Sequence, residues 1–376
     1  MARMRRNLIL FLGIVISLLL VAGTTTDQNS SVTVAFGGDT LFGGYYSTIP
    51  PYGTMDDLAQ MIDRYIQSYG EEQGIRSFVE YAFQNIKPIF ARAAYGVVNL
   101  EGPIVVAPDA FVPKVFPLRQ HVRTPKILKQ AGIAVVSLAN NHMYDFNGAK
   151  GVEETMQRLE DAVIASVGAG RGEDAYTQAF GYKIKENNGI KIAFFGVTDV
   201  IEPGDMVVEM HGVQKTGVAA LPEQAHYRQS PNLRYLLGRI GEAKKEADFC
   251  VVLLHAGPPR GHELEPRQQE IVDILLEAGV DVIIGTHCHS QQPIKEIHDG
   301  QGRLRQVAFY GIGNLVFGGC KGRQGLSLIA LVTFHKEDGV HYLSYEGVAI
   351  RPNEDGTFQP IIVNRDKVTT AQDQFP

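Results

Sequence analysis

The run Val282-Ile283-Ile284-Gly285-Thr286-His287-Cys288-His289 constrains the fold more than any other stretch of this 376-residue chain. Its apolar residues predict a buried strand, because a continuous apolar run is typical of strands covered on both faces. Gly285 ends the strand, and two histidines follow one residue apart. In an open α/β sheet, ligands bind beyond the carboxyl ends of the strands. The histidine pair can therefore hold one or two metal ions, although a polar loop whose histidines face solvent would give the same pattern.

The order of the remaining elements predicts an α/β protein. Apolar residues at helical spacing indicate helices at 56–69, 77–91, 125–131, 151–159, 232–246 and 265–278. Strands are predicted at 31–36, 95–100, 133–138, 249–254, 305–310, 326–334 and 342–350, with a hairpin formed by 180–184 and 190–197. Gly37-Gly38 is expected to end the first strand, and 198–231 to pass over the site as a long excursion. Strand–helix units followed by consecutive strands predict an α/β layer sandwich with a partly antiparallel sheet.

The N-terminus predicts export from the cytoplasm. Residues 1–7 are basic and residues 8–23 are apolar without a charge, which is the pattern of an export signal. Val21-Ala22-Gly23 would suit cleavage. The apolar run is slightly short for a full membrane span of about 17–25 residues, but an uncleaved membrane anchor remains an alternative. We therefore divide the chain into a signal peptide or N-terminal membrane anchor with a linker at 1–30 and one folded domain at 31–376. The basic flank stays inside, so the folded domain is expected to be extracytoplasmic.

Charge and cysteine content exclude two classes of protein. With 35 Lys+Arg against 41 Asp+Glu and no basic tract beyond the N-terminus, nucleic acid is not an expected partner. The three cysteines, Cys250, Cys288 and Cys320, imply no disulfide framework. Cys250 lies in an apolar run and is expected to pack as a small hydrophobe. Cys288 is disfavoured as a metal ligand, because alternation along an extended segment points it away from the neighbouring histidines.

Polar side chains follow five of the buried strands. The candidate metal ligands among them are Asp39, Glu101, Asn141, His255, His287 and His289. Each one alone could be a turn residue, a helix cap or a solvated side chain, but five strand ends at one sheet edge favour a metal site. Oxygen and imidazole ligands suit Mn, Fe or Zn, and a carboxylate such as Glu101 can bridge two ions. His142, beside Asn141, suits the role of proton donor to a leaving group.

These strand-end motifs resemble those of a known family. The series comprises Gly38-Asp39, Asn99-Leu100-Glu101-Gly102-Pro103, Ala139-Asn140-Asn141-His142, His255, Gly285-Thr286-His287-Cys288-His289 and Tyr310-Gly311-Ile312-Gly313-Asn314. It resembles the CapA family, capsule-synthesis proteins implicated in poly-γ-glutamate production, within the calcineurin-like metallophosphoesterase superfamily. The resemblance covers about 32–317. It implies a four-layer αββα sandwich with mixed sheets and two divalent metal ions held between the sheets.

The resemblance also implies a role for each candidate residue. Asp39 and His289 would serve one ion, while Asn141, His255 and His287 would serve the other. Glu101 would bridge the two ions, and His142 would be the catalytic proton donor.

The chain departs from the superfamily pattern at three points. A histidine usually lies two residues after the first aspartate, where this chain has Leu41, and the bridging residue is usually aspartate. Both changes also occur in the CapA branch, and they reduce the ligand set of the first ion. The glutamate that usually follows the histidine at position 255 is missing, so Glu263 or Glu265 is expected to replace it.

Two functions remain open at this stage. The first is an exported metal-dependent hydrolase-like protein of capsule biosynthesis, in which metal-activated water attacks a phosphoester or an amide. Its substrate would be an anionic polymer such as poly-γ-glutamate or a linked phosphoester. The second is a non-catalytic, membrane-anchored scaffold that supports polymer synthesis or export within a membrane synthase complex. Leu41 favours the scaffold, whereas the intact Asn141-His142 pair favours the enzyme.

Overall fold

The structure is a computed structural model that describes residues 29–108, 111–202, 216–221, 230–319, 325–351 and 357–364. The predicted export signal, Cys320 and most of the 198–231 excursion lie outside these ranges. Among the described residues, no helix is both long enough and apolar enough to cross a membrane.

The helices within these ranges are α1 (Asp57–Tyr69), α2 (Glu71–Ala82), α3 (Lys87–Phe90), α4 (Thr124–Gln130), α5 (Ala149–Asp161), α6 (Ala175–Ala179), α7 (Pro231–Ala243) and α8 (Pro266–Glu277). The first strands are β1 (Ser30–Leu41), β2 (Gly43–Tyr46), β3 (Thr54–Met55), β4 (Tyr95–Leu100), β5 (Leu118–Gln120), β6 (Ile133–Ser137), β7 (Ala165–Val167), β8 (Ala169–Arg171), β9 (Lys183–Asn187) and β10 (Ile190–Thr198). The remaining strands are β11 (Thr216–Val218), β12 (Phe249–His255), β13 (Val282–Thr286), β14 (Ile294–His298), β15 (Leu304–Phe309), β16 (Asn314–Phe317), β17 (Ser327–Glu337), β18 (Val340–Arg351) and β19 (Ile361–Asn364).

One large mixed sheet organises the fold. Its strands follow the order β7-β6-β4-β1-β17-β18-β15-β13-β12-β10-β9. We divide it into a first half, from β7 to β18, and a second half, from β15 to β9. The halves are joined where Leu304 of β15 pairs with Leu343 of β18. Antiparallel pairing between β17 and β18 makes the sheet mixed.

Three apolar cores separate four layers. Alternate side chains of β12 show the arrangement: Phe249, Val251 and Leu253 pack between the two halves of the sheet. Cys250 and its alternate neighbours instead pack under α6, α7 and α8. A third core lies between the first half and α1 to α5. The sheet halves are thus covered on both faces, which confirms the predicted αββα sandwich. The predicted apolar packing of Cys250 is also confirmed.

Parallel strands bring several chain ends to one edge. In the first half β1, β4 and β6 run parallel, and in the second half β10, β12, β13 and β15 do so. Parallel strands share the edge at which their carboxyl ends lie, which is where α/β proteins bind ligands.

The expectation that Gly37-Gly38 ends the first strand was wrong. β1 continues to Leu41 with a register shift between Phe36 and Asp39. The glycines instead permit a close approach: a Cβ at Gly38 would lie 1.6 Å from the Gly313 carbonyl oxygen. That approach lets the Asp39 amide donate to the same oxygen at 2.9 Å.

Local sequence signals explain two further outcomes. The predicted helix at 77–91 is two helices in the structure. The first, α2, begins earlier than predicted, directly after Gly70. The second, α3, is separate and has Pro88 in its first turn, where proline is favoured. The predicted hairpin is confirmed as β9 and β10. Asn188 and Gly189 have positive φ angles of 49° and 73°, which is the backbone of a type I′ turn.

Candidate metal centre

The sheet edge brings two groups of metal-ligating side chains together. Glu101, His255 and His287 form one group, and Asp39, Glu101 and His289 form the other. Within each group, one ligand atom per residue lies within 4.8 Å of the others. Glu101 belongs to both groups, so a single carboxylate lies between two potential ion positions.

Asp39 connects the two halves of the sheet. It lies near the end of β1, fully buried, and its Oδ1 accepts a hydrogen bond from Asn99 Nδ2 at 2.7 Å. Its Oδ2 accepts from the backbone N–H of His287, just after β13, at 3.0 Å. Its Oδ2 is also 3.4 Å from His289 Nδ1. Burial raises the pKa of Asp39, against the lowering effect of His289.

The two most deeply buried histidines are neutral at physiological pH. His255 ends β12, and its Nε2 lies 3.1 Å from His287 Nδ1. Burial, followed by the neighbouring imidazoles, lowers the pKa of His255 well below its usual range and that of His287 to about 3. A neutral imidazole keeps a lone pair, which is the form that binds a metal. Both rings are therefore ready to act as ligands.

The segment after β13 bends so that both of its histidines face the site. His287 and His289 have positive φ angles of 84° and 53°, a region that residues other than glycine rarely adopt. Between them, the Cys288 thiol donates to the Ser290 carbonyl oxygen at 2.9 Å, and it joins neither ligand group. Backbone strain at such positions costs about 1–3 kcal/mol each and concentrates at functional sites.

Glu101 gives the most direct indication that a cation fits here. Its side chain is fully buried, and neither carboxylate oxygen has a hydrogen-bond partner in the described part of the chain. Burial, reinforced by the charge of Asp39, raises the pKa of Glu101 well above its usual range. Buried polar groups in proteins nearly always have partners. Two oxygens without partners, facing neutral imidazoles, fit a divalent cation.

Asn141 and His142 reach the same pocket from the turn after β6. Asn141 Oδ1 lies 3.0 Å from His255 Nε2. His142 Nε2 lies 3.7 Å from Glu101 Oε1. The other ring nitrogen of His142, Nδ1, is 2.6 Å from Asp145 Oδ2. The structure therefore places all seven residues singled out from the sequence around one pocket.

Further side chains, whose roles were not predicted from the sequence, orient these residues. Thr286 Oγ1 lies 3.0 Å from His255 Nδ1, and Asn314 Oδ1 lies 2.8 Å from His289 Nδ1. Asn99 donates to Asp39, as described above. Asn99 and Asn314 stand inside the motifs quoted above, which was the available signal. Partners of this kind fix the ring orientation of metal-binding histidines.

The departures from the superfamily pattern also have structural outcomes. Leu41 is buried among apolar side chains, including Leu118 and Phe317. Its position therefore supplies no ligand. Glu263 and Glu265 are exposed and belong to neither ligand group, so the expectation that one of them replaces the missing glutamate was wrong.

The four-layer sandwich and the histidine–carboxylate pocket at its strand ends define a metallophosphoesterase-like protein. The family model described as bacterial capsule synthesis protein PGA_cap matches residues 33–319. The chain therefore belongs to the bacterial capsule synthesis family.

Curated relatives carry names that agree with this family. The chain is 30% identical over 258 residues to "PGA biosynthesis protein CapA" of Bacillus subtilis (strain 168), a match covering 68% of this chain and 61% of that relative. "Capsule biosynthesis protein CapA" of Bacillus anthracis is 26% identical, over 85% of this chain and 67% of the relative. A "probable polyglutamine synthesis accessory protein" of Mycobacterium tuberculosis is 25% identical, over 76% and 74%. The match thus spans less than two thirds of the B. subtilis protein.

Proposed function

We propose that this chain is an exported, metal-dependent hydrolase-like protein that acts in poly-γ-glutamate capsule biosynthesis. The observation that carries the proposal is the buried Glu101 carboxylate, shared by two ligand groups, with neither oxygen hydrogen-bonded within the described residues. A buried carboxylate that only stabilised the fold would be expected to accept hydrogen bonds from neighbouring donors. The capsule assignment is supported by the family and by the names of the relatives.

The pocket offers ligands for two divalent ions. Asp39 and His289 would hold one ion, Asn141, His255 and His287 the other, and Glu101 would bridge them. The oxygen and nitrogen donors suit Mn, Fe or Zn rather than a thiolate zinc site. When bound, such ions polarise substrate oxygens and provide a nucleophilic water at neutral pH.

His142 is suited to donate the proton to the leaving group. Its Nδ1 is held by Asp145 at 2.6 Å, which leaves Nε2 directed towards the pocket, 3.7 Å from Glu101. A histidine fixed through one nitrogen presents the other in a defined direction. The reaction class is therefore hydrolysis of a phosphoester or an amide, in which His142 protonates the departing oxygen or nitrogen.

The location of the site in the cell follows from the N-terminal prediction. Residues 1–30 would act as a signal peptide or a membrane anchor, and the folded domain would lie outside the cytoplasm. An anchored form would place the pocket beside a membrane synthase complex and its anionic polymer. Phosphoesters linked to that polymer are the alternative substrate.

The test combines metal analysis with one substitution. We expect the purified full chain to retain divalent metal and to hydrolyse a candidate phosphoester or a γ-glutamyl polymer. His142→Ala should keep the metal but lose activity by about 10²–10⁴-fold, the usual contribution of acid–base catalysis. His298→Ala is a matched control, because His298 is exposed at the end of β14. Retained metal with no effect of His142→Ala on turnover or polymer production would favour the non-catalytic scaffold.

A further inference from the structure

A buried lysine lies beside the pocket, although no sequence motif indicated it. Lys114 is found shortly before β5, and only 7% of its side chain is exposed. Its ammonium lies 3.0 Å from Asp145 Oδ1 and 3.3 Å from Glu202 Oε2. It also donates a hydrogen bond to the backbone carbonyl oxygen of Asn141. An ammonium group is a donor without an acceptor, so it pairs by charge with the Asp145 and Glu202 carboxylates while it donates to the Asn141 carbonyl.

Two of these partners of Lys114 lie on either side of His142 in the sequence. Asn141 precedes His142, and Asp145 holds its Nδ1 at 2.6 Å. Asp145 is fixed in turn, because its Oδ2 accepts from the backbone N–H of Leu118 at 2.7 Å. The ammonium therefore ties both ends of the turn that presents the proposed ligand and the proposed acid.

Glu202 determines which atom of the Asn141 amide enters the pocket. Glu202 follows β10, and its Oε1 accepts a hydrogen bond from Asn141 Nδ2 at 2.8 Å. An ionised carboxylate only accepts hydrogen bonds, so the amide must turn its NH₂ group towards Glu202. The Asn141 oxygen then faces His255 Nε2, 3.0 Å away. Reversal of the amide would present hydrogens, which cannot bind a cation.

We propose that Lys114 and Glu202 are positioning residues for the metal site and the acid. Glu202 fixes the Asn141 amide with its oxygen inward, and Lys114 holds Glu202, the Asn141 backbone and Asp145 in one arrangement. This inference rests on the proposed function, since it assigns roles towards the same metal pocket. It brings Glu202, which follows β10, into the surroundings of the site.

The test follows metal binding and does not require a substrate. Metal-free full chain is titrated with Co²⁺, and the visible absorption bands report the number of ions bound and the affinity for each. In Glu202→Gln, the new amide offers both a donor and an acceptor, so either orientation of Asn141 is allowed. Loss of such outer partners typically weakens metal affinity about 10- to 100-fold. We expect that loss for the ion at Asn141, His255 and His287, and a smaller change for the ion at Asp39 and His289.

Three lysine variants complete the design. Lys114→Met should lower the affinity for the same ion. Lys114→Arg should retain part of that affinity, because arginine keeps the charge and the hydrogen-bond donors. Lys336→Met is the matched control: Lys336 pairs with Asp248 at 2.9 Å, at the opposite end of β17. It should leave both affinities unchanged. If Lys114→Met does not fold, Glu202→Gln still tests the inference with Lys114 in place.

The outcomes separate this inference from the function on which it rests. If the wild-type chain binds two ions and folded Glu202→Gln binds both with wild-type affinity, the positioning role is overturned and the proposed function stands. If the wild-type chain binds no Co²⁺, the proposed function fails, and the inference fails with it. A loss shared equally by Lys336→Met would also overturn it, since the effect would then be general destabilisation.

Discussion

Glu101→Gln should change stability in opposite directions with and without metal. The wild-type carboxylate is fully buried, lacks hydrogen-bond partners within the described residues and lies near the charge of Asp39. Glutamine has nearly the same shape and no charge. In the absence of a cation, the substitution therefore removes an unfavourable buried charge, and in its presence it removes a ligand.

The sign and size of the metal-free effect follow from the burial of this group. Burial holds the pKa of Glu101 in the folded chain well above the ordinary value of 4.5. The folded state thus binds the proton more tightly than the unfolded state, and stability falls as pH rises from 4.5 through the folded pKa. Each pH unit between the unfolded and the folded pKa costs wild type about 1.4 kcal/mol of stability, and the neutral glutamine does not carry this cost. In chelator at pH 7, we expect Glu101→Gln to be more stable than wild type by at least about that amount.

Added metal should reverse the ranking. An ion present at 100 times its dissociation constant stabilises the folded state by about 2.7 kcal/mol, and the variant without the bridging carboxylate should gain much less. Urea unfolding followed by circular dichroism, with EDTA or with Mn²⁺, measures all four free energies of unfolding. The reasoning is refuted if the variant is less stable than wild type in EDTA, or if both proteins gain the same stabilisation from Mn²⁺.

Three further predictions address the fold around the site. Gly38→Ala should destabilise the chain by about 3 kcal/mol or more, measured by urea unfolding, because its Cβ would meet the Gly313 carbonyl. Gly37→Ala should cost less, because its Cβ would meet the Leu315 side chain and not the backbone. Burial raises the pKa of Asp281 from 3.8 to about 6. Wild-type stability should therefore fall by about 3 kcal/mol as the pH rises from 4 to 6. Asp281→Asn should reduce this pH dependence in a series of unfolding curves. Cys288→Ala should leave Co²⁺ affinity unchanged, since the thiol joins neither ligand group; a large loss of affinity would contradict this expectation.

The layers of the fold were predictable because the periodic signals are local. Runs such as Phe249–His255 are apolar on both faces, and this identifies strands lying between two cores without knowledge of their neighbours. The strand ends could be read in the same way, since parallel strands must bring their carboxyl ends to one edge. The short strands β2, β3 and β5, of two to four residues, carry no such signal and form a separate small sheet.

The outer partners of the site could not be predicted for a related reason. Lys114 and Glu202 lie in segments without periodicity, and neither is next to a quoted motif. Their importance depends on atoms contributed by the turn after β6, which is distant in the chain. Asp145 was closer to recognition, because it follows His142 by three residues. A local pattern can indicate which residue types reach a sheet edge, but it cannot show which distant charge will be buried beside them.

The candidate site is also where the two halves of the sheet depend on each other. Asp39 and Glu101 come from the first half, whereas His255 and His287 come from the second, and the Asp39–His287 hydrogen bond joins them directly. While no cation is bound, burial of two carboxylates beside two neutral imidazoles disfavours the charged form of the carboxylates. A bound cation would offset that cost only when both halves are docked. Metal binding and the packing of the inter-sheet core are therefore linked, because the same docking that buries the apolar strands assembles the ligands.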